Sequence, residues 1–300
     1  MKQKALWINQ IKGLCISLVV IYHSVITFYP HLEGLQHPLS GLLAKCWLYM
    51  NLYLAPFRMP VFFFISGYLI RRYITEAEWK NCIDKRLWSI FYVLALWGVL
   101  QWQGIGFLNR WLAPERDLSQ SANAAYADSL SEFLHGMLTA STSLWYLYAL
   151  LIYFVVCKFL SRWKRPALGL MLVAVALWFC NVPVLLSLLS AWLIMSLFWR
   201  LEQRFTPGED RLLNVIGSNT IAIYTTHRIL IEGSSLALLP LFRKGALSPT
   251  LELGLLLVYP LLSLLVCTLV GLGIRRLSVR LFGDLFFSPP AKLRLDPATR

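Results

Sequence analysis

The chain has 300 residues, of which 58% are hydrophobic and only 14% charged, with a formal net charge of +13. Soluble domains carry about 25% charged residues, whereas here apolar runs of about 16 to 25 residues recur from end to end. Soluble-domain readings are therefore excluded in favour of an all-α, polytopic membrane bundle. The basic excess is read as cytoplasmic loops touching anionic membrane lipid, not as nucleic-acid binding.

About eight spans are predicted in chain order. The first covers 8–29. The second covers 40–70 and is expected to be interrupted by Pro56 and Pro60. The third covers 83–103, the fourth 142–160, the fifth 167–181 and the sixth 184–199. The seventh covers 212–232, with an extension to 242, and the eighth 251–274. Residues 1–287 form one transmembrane body, and 288–300 read as a disordered cytoplasmic tail. With the N-terminus placed inside, 21 Lys and Arg fall on the cytoplasmic side and 5 on the outer side. That asymmetry puts both termini in the cytoplasm. No small-residue cleavage site follows the first span, so it is expected to be retained. The long outer loop, 104–141, is either a solvated connector or a lid. Six scattered cysteines lack C-x-x-C spacing; they are read as buried, reduced and non-ligating, and no metal site is expected.

The chemistry starts in the first span. Lys12 and His23 are eleven residues apart, about three turns, so both share one helix face with about 16 Å of rise between them. His23 is deep enough to act as a general base or proton relay, or else to pack as a hydrogen-bonded histidine. Lys12 is either a functional cation or a snorkelling residue. In the second span Arg58 needs a partner or a wet cavity, and Ser66-Gly67 makes a thin point for close approach. Arg71, Arg72, Lys85 and Arg86 form a basic cluster suited to phosphates, or simply mark topology. Trp145 and Tyr146 open the fourth span as belt or cavity residues. Ser218, Tyr224 and His227 lie on the seventh, with His227 at a depth similar to His23.

These patches, in order, resemble the acyltransferase-3 family of bacterial inner-membrane proteins. Lys12 and His23 match its R/K-x10-H spacing. Phe62-Phe-Phe-Ile-Ser66-Gly67-Tyr68, Leu144-Trp145-Tyr146-Leu147 and Gly217 through His227 are similar to three further family motifs. The resemblance implies transfer of an acyl group, often acetyl, from cytoplasmic acyl-CoA as co-substrate to a hydroxyl of an extracytoplasmic acceptor, usually a glycan. No permanently bound cofactor is implied. His23 would be the base, and Lys12 with the basic cluster would hold the donor. The chain departs from the family at Asn9, where Asp is common, and at Ser89, where a second Arg is expected. It also has two spans, rather than about four, between the Leu-Trp-Tyr-Leu helix and the His227 helix, so it reads as a shortened member. The rival readings are a proton-coupled transporter or exporter and an inactive, diverged family member.

Overall fold

The computed structural model describes residues 6–76, 78–79, 83–116, 123–160, 196–197, 200 and 211–290, apart from the side chains of 56–57, 71–72, 84–85 and 160. Among them there is no strand. Eight helices follow in order: α1 Leu6–Phe28, α2 Ser40–Thr75, α3 Trp88–Leu112, α4 Leu130–Leu138, α5 Trp145–Leu160, α6 Leu212–Ser218, α7 Thr220–Arg243 and α8 Pro249–Phe282. Four of them, α1, α2, α3 and α8, are long and apolar enough to cross a membrane. Helix α5 is equally apolar but has 16 residues. The fifth and sixth expected spans fall almost wholly outside the described residues, as does the tail beyond residue 290.

Helix α1 is the central element. It packs against α2, α6, α7 and α8, and Ile11, Cys15, Ile16, Val20, Val25 and Phe28 are almost wholly enclosed. Its closest neighbour is α6. A Cβ on Gly13 would stand 2.2 Å from the Leu213 carbonyl oxygen, and one on Gly217 1.7 Å from the Asn9 carbonyl oxygen. Only residues without a side chain permit that backbone-to-backbone crossing.

Helix α2 corrects an expectation. It runs unbroken through Pro56 and Pro60 for 36 residues. Proline weakens a helix by removing a donor and crowding the preceding turn, but contacts on both sides hold this one. Arg58 stacks on Tyr22 of α1, 4.1 Å from the ring centre, and Ser66 hydrogen-bonds Tyr146 of α5 at 2.7 Å. The expected seventh span is also corrected, being two helices split at Asn219. The Asn219 side chain donates to the Val215 carbonyl at 2.8 Å, a local bond that competes with helix continuation. Arg275 of α8 then donates to the Ser218 carbonyl at 3.1 Å and to Asn219 Oδ1 at 3.2 Å, so the break is satisfied.

The 104–141 stretch, expected as a loop, is shorter and, in its described residues, more packed than a solvated connector. Helix α3 extends to Leu112, and α4 is capped by the Ser129 hydroxyl accepting from the Glu132 amide. Trp102 stacks on Phe133 at 4.4 Å and donates to the Ala127 carbonyl at 2.7 Å. On the same side, buried Glu252 of α8 accepts from the Gln36 and His37 amides and the Ser40 hydroxyl, tying the α1–α2 connection to α8. Helix α8 ends at Gly283, whose φ of 58° is a left-handed cap. The following turn seats Phe287 on Trp97, 5.6 Å between ring centres. Of the described cysteines, Cys15 and Cys267 are buried, but Cys46 is exposed, against expectation.

Candidate active site

A cavity of about 320 Å³ opens between α1, α2, α3, α5 and α7. Lys12, Ile16 and Val19 line it from α1. Those positions form one helical stripe, and His23 is the next residue on it. Its walls are largely apolar, with Phe62, Ile70, Leu147 and Leu150 among them. The polar groups are the hydroxyls of Ser66, Ser89, Tyr146, Thr220 and Tyr224 and the cations Lys12 and Arg86. Arg86 precedes α3 in a one-turn π-helical segment, Ile83–Leu87. Its guanidinium lies 4.5 Å from the Tyr73 ring centre, and its Nε is buried without a hydrogen-bond acceptor. A buried donor left unsatisfied carries a cost of about 1–3 kcal/mol, which an anionic ligand group would relieve.

From the cavity a relay of rings runs inward. Tyr146 and Tyr224 are 5.9 Å apart, Tyr224 and His227 5.7 Å, and His227 and His23 5.0 Å, centre to centre. Tyr224 is fixed by donating to the Ser143 carbonyl at 3.0 Å. His227 is fully buried, and its Nδ1 lies 2.6 Å from the Tyr224 carbonyl oxygen. A carbonyl can only accept, so Nδ1 carries the proton, and in the neutral ring Nε2 holds the lone pair. That Nε2 is buried and has no partner. His23 Nδ1 is likewise enclosed and unpartnered. The two rings, 5.0 Å apart centre to centre, each leave one buried nitrogen unsatisfied.

Beyond the histidines lies a charged network that sequence reasoning missed. Glu232 of α7 is 0% exposed. It accepts from Arg116 Nη1 at 2.6 Å and from the Tyr126 hydroxyl at 2.6 Å, with Arg228 Nη2 at 3.7 Å. Arg228 in turn donates to Thr27 Oγ1 at 2.6 Å and to the Tyr126 hydroxyl at 2.5 Å. The stretch carrying Arg116 and Tyr126 is thus clamped onto α7, and through Arg228 onto α1. Opposite charges four residues apart in an otherwise apolar stretch, Arg228 and Glu232, were the available signal. Glu232→Gln should keep the fold but lower unfolding stability by about 2 kcal/mol, through the weakened charged hydrogen bonds. Thermal unfolding in detergent checks this, and an unchanged midpoint refutes it.

The comparisons with known proteins bear on this geometry. Residues 5–187 match the family model described as the acyltransferase domain, Acyl_transf_3. The chain belongs to the acyltransferase-3 family. It is accordingly a membrane acyltransferase. It is similar to "Inner membrane protein YcfT" of Escherichia coli (strain K12), with 56% identity covering 97% of this chain and 98% of the relative. That alignment runs over 348 positions against 300 residues here, so the relative contains a stretch this acyltransferase-3 chain lacks. No solved structure matches the chain.

The acyltransferase-3 motif residues do not all meet in one place. Lys12, Ser66, Arg86, Tyr146 and Tyr224 share the cavity, and His23 and His227 adjoin its inner end. Arg58 is 5% exposed; its partners are Tyr22 and, at 3.4 Å, Asn51 Oδ1. Arg58 therefore does not line the cavity as expected, and three more expected cavity residues lie elsewhere. Gly67 meets α5, where a Cβ would stand 2.9 Å from the Tyr153 hydroxyl. Trp145 points outward, 41% exposed, because it precedes inward-facing Tyr146 by about 100° of helix rotation. Ser218 is exposed at the α6 terminus, and its hydroxyl is turned back onto the Val215 carbonyl. The side chains of Arg71, Arg72 and Lys85 lie outside the described residues.

Proposed function

We propose that this protein, in the bacterial inner membrane with both termini cytoplasmic, moves an acyl group, acetyl in the simplest case, from acyl-CoA to a hydroxyl of an extracytoplasmic glycan. The observation that carries the reading is the single stripe on α1. It begins at a cation in the wall of a largely apolar cavity and ends at His23, whose ring packs on that of His227 of α7, each ring with an unsatisfied buried nitrogen.

The division of labour follows from chemistry. Lys12 and Arg86 attract the phosphates of coenzyme A at the cytoplasmic mouth. The apolar wall takes the pantetheine arm, and about 16 Å of helix rise separates Lys12 from His23. The acceptor hydroxyl enters between His23 and His227. Its oxygen attacks the thioester carbon while its proton passes to His227 Nε2, the lone pair fixed by the Tyr224 carbonyl. The tetrahedral intermediate collapses by breaking the carbon–sulfur bond. The proton on His227 then goes to the departing thiolate, giving an ester and free coenzyme A. His23 faces the same spot and orients the hydroxyl.

Saturable protection by acetyl-CoA against thermal unfolding tests the donor half. Saturation at a hundredfold over Kd adds about 2.7 kcal/mol of stability. Lys12→Ala should weaken acetyl-CoA binding about tenfold or more, the worth of one charged hydrogen bond. Lys12→Arg should recover most of it. No protection of the unmodified protein at any acetyl-CoA concentration overturns the donor assignment and favours a transporter.

A further inference from the structure

Against the last turn of α2 lies a buried cation that the mechanism above does not use, Lys158 of α5. We infer that Lys158 is a positioning residue for the donor: it pins the end of α2 so that the Tyr73 ring holds Arg86 ready for a phosphate. The inference rests on the acyl-transfer reading above and adds to it the residues that set how tightly the donor is held.

Burial is the first argument. Lys158 lies in the last turn of α5, where a lysine ordinarily snorkels to water. Here it turns inward and is 5% exposed. Its Nζ donates to the Tyr73 carbonyl at 3.0 Å and to the Ile74 carbonyl at 2.8 Å. Helix α2 ends at Thr75, so both carbonyls belong to its last four, which lack a partner within the helix. A cation there also faces the negative end of the helix dipole. Phe154, one turn before Lys158, is fully enclosed and belongs to an apolar cluster with Ile70, Tyr73, Ile74 and Leu87. The cluster seats the end of α2, and the lysine fixes its direction.

Connection to the site is the second. Tyr73, whose carbonyl Lys158 binds, lies with its ring under the Arg86 guanidinium, 4.5 Å from ring centre to Cζ. Arg86 lines the donor cavity, and its buried Nε has no acceptor. A ring beneath a guanidinium restrains it without consuming its N–H groups, which stay available for a phosphate. An arginine already held in this way loses less side-chain freedom when the donor arrives. Lys158, Tyr73 and Arg86 thus form one line of contacts from α5 through α2 to the turn before α3. The line ends on the group that meets the phosphates, so it acts on donor affinity and not on the chemistry at His227.

The experiment uses membranes containing the full chain and follows thiol release from acetyl-CoA and from acetyl-pantetheine, which lacks the phosphates. Lys158→Met keeps the apolar stem and removes the pin. It should raise KM for acetyl-CoA about fivefold, the worth of a cation–π restraint, with kcat and the KM for acetyl-pantetheine held. Lys158→Arg, which can still donate to both carbonyls, should recover most of the affinity. In an Arg86→Ala background Lys158→Met should raise KM no further. Tyr73→Leu should act like Lys158→Met, whereas Tyr73→Phe, which keeps the ring, should raise KM far less. An unchanged acetyl-CoA KM in Lys158→Met overturns the inference. An equal rise for acetyl-pantetheine does so too, because it shows general loosening, and so does an equal further rise in Arg86→Ala, because the effect then bypasses Arg86. If Lys158→Met fails to fold, the two Tyr73 variants decide, and equal KM values for them overturn the inference. Absence of acetyl-CoA protection in the unmodified protein is instead the failure of the acyl-transfer reading, and the positioning role falls with it.

Discussion

His227→Asn should reduce acyl transfer by about 10²- to 10⁴-fold, the usual contribution of a general base, while leaving the fold and donor binding intact. The asparagine amide can still donate to the Tyr224 carbonyl, the bond that Nδ1 makes at 2.6 Å, so α7 keeps its local geometry. It has nothing in the place of Nε2, the buried nitrogen without a partner. Thiol release from acetyl-CoA in membranes measures the loss, and acetyl-CoA protection reports the fold. The acid limb of the pH–rate profile, set by protonation of the base, should vanish from the residual activity. Activity within threefold of the unmodified protein removes His227 from the mechanism. His23→Ala should also abolish transfer with expression retained; full activity there would show that only one ring of the pair takes part.

Gly217→Ala should prevent stable assembly altogether. The added Cβ would lie 1.7 Å from the Asn9 carbonyl oxygen and 2.5 Å from its carbon. Overpacking costs typically about 1–3 kcal/mol when side chains can yield, but here the obstacle is main chain, and α1 must move as a body. Because α1 also carries Lys12 and His23 and packs on four other helices, the displacement spreads through the centre of the bundle. The expected result is protein that aggregates on detergent extraction, seen by size-exclusion chromatography. Gly13→Ala, 2.2 Å from the Leu213 carbonyl oxygen, should behave alike. By contrast Gly273→Ala, with open space around it, should extract as a monodisperse species. Monodisperse Gly217→Ala at the normal yield would show that the crossing is wider than described.

How much of this was readable beforehand depends on the range of the interaction that decides each feature. Helix α1 was legible nearly to the residue, because an uninterrupted apolar run and a terminal Tyr29-Pro30 specify it locally. The shared face of Lys12 and the cavity stripe leading to His23 followed from helical periodicity alone. The juxtaposition of His23 and His227 was only suggested, by equal depth; its 5.0 Å spacing depends on how α7 leans on α1. The course of α2 through two prolines was misjudged because Tyr22 and Tyr146, far away in sequence, hold it. The Asn219 break was missed although its cause is local, since a side chain bonding backwards leaves no mark on hydropathy. The partners that Arg116 and Tyr126 supply to Glu232 were invisible because they lie more than a hundred residues away in the chain.

The bare crossing of α1 and α6 also constrains how the machine can work. Two main chains pressed together where Gly13 and Gly217 cross form a fulcrum that neither sliding nor splaying can open without tearing the contact. His23, further along α1, and His227, on α7 beyond the Asn219 break, are held by their own contacts: the rings stand 5.0 Å apart centre to centre, and Nδ1 of His227 is bound to the Tyr224 carbonyl. Two rings fixed in this way suit the acyl transfer proposed above, in which both substrates would thread to a standing site, and not a carrier, whose cargo site is exposed by rocking one half of the protein past the other.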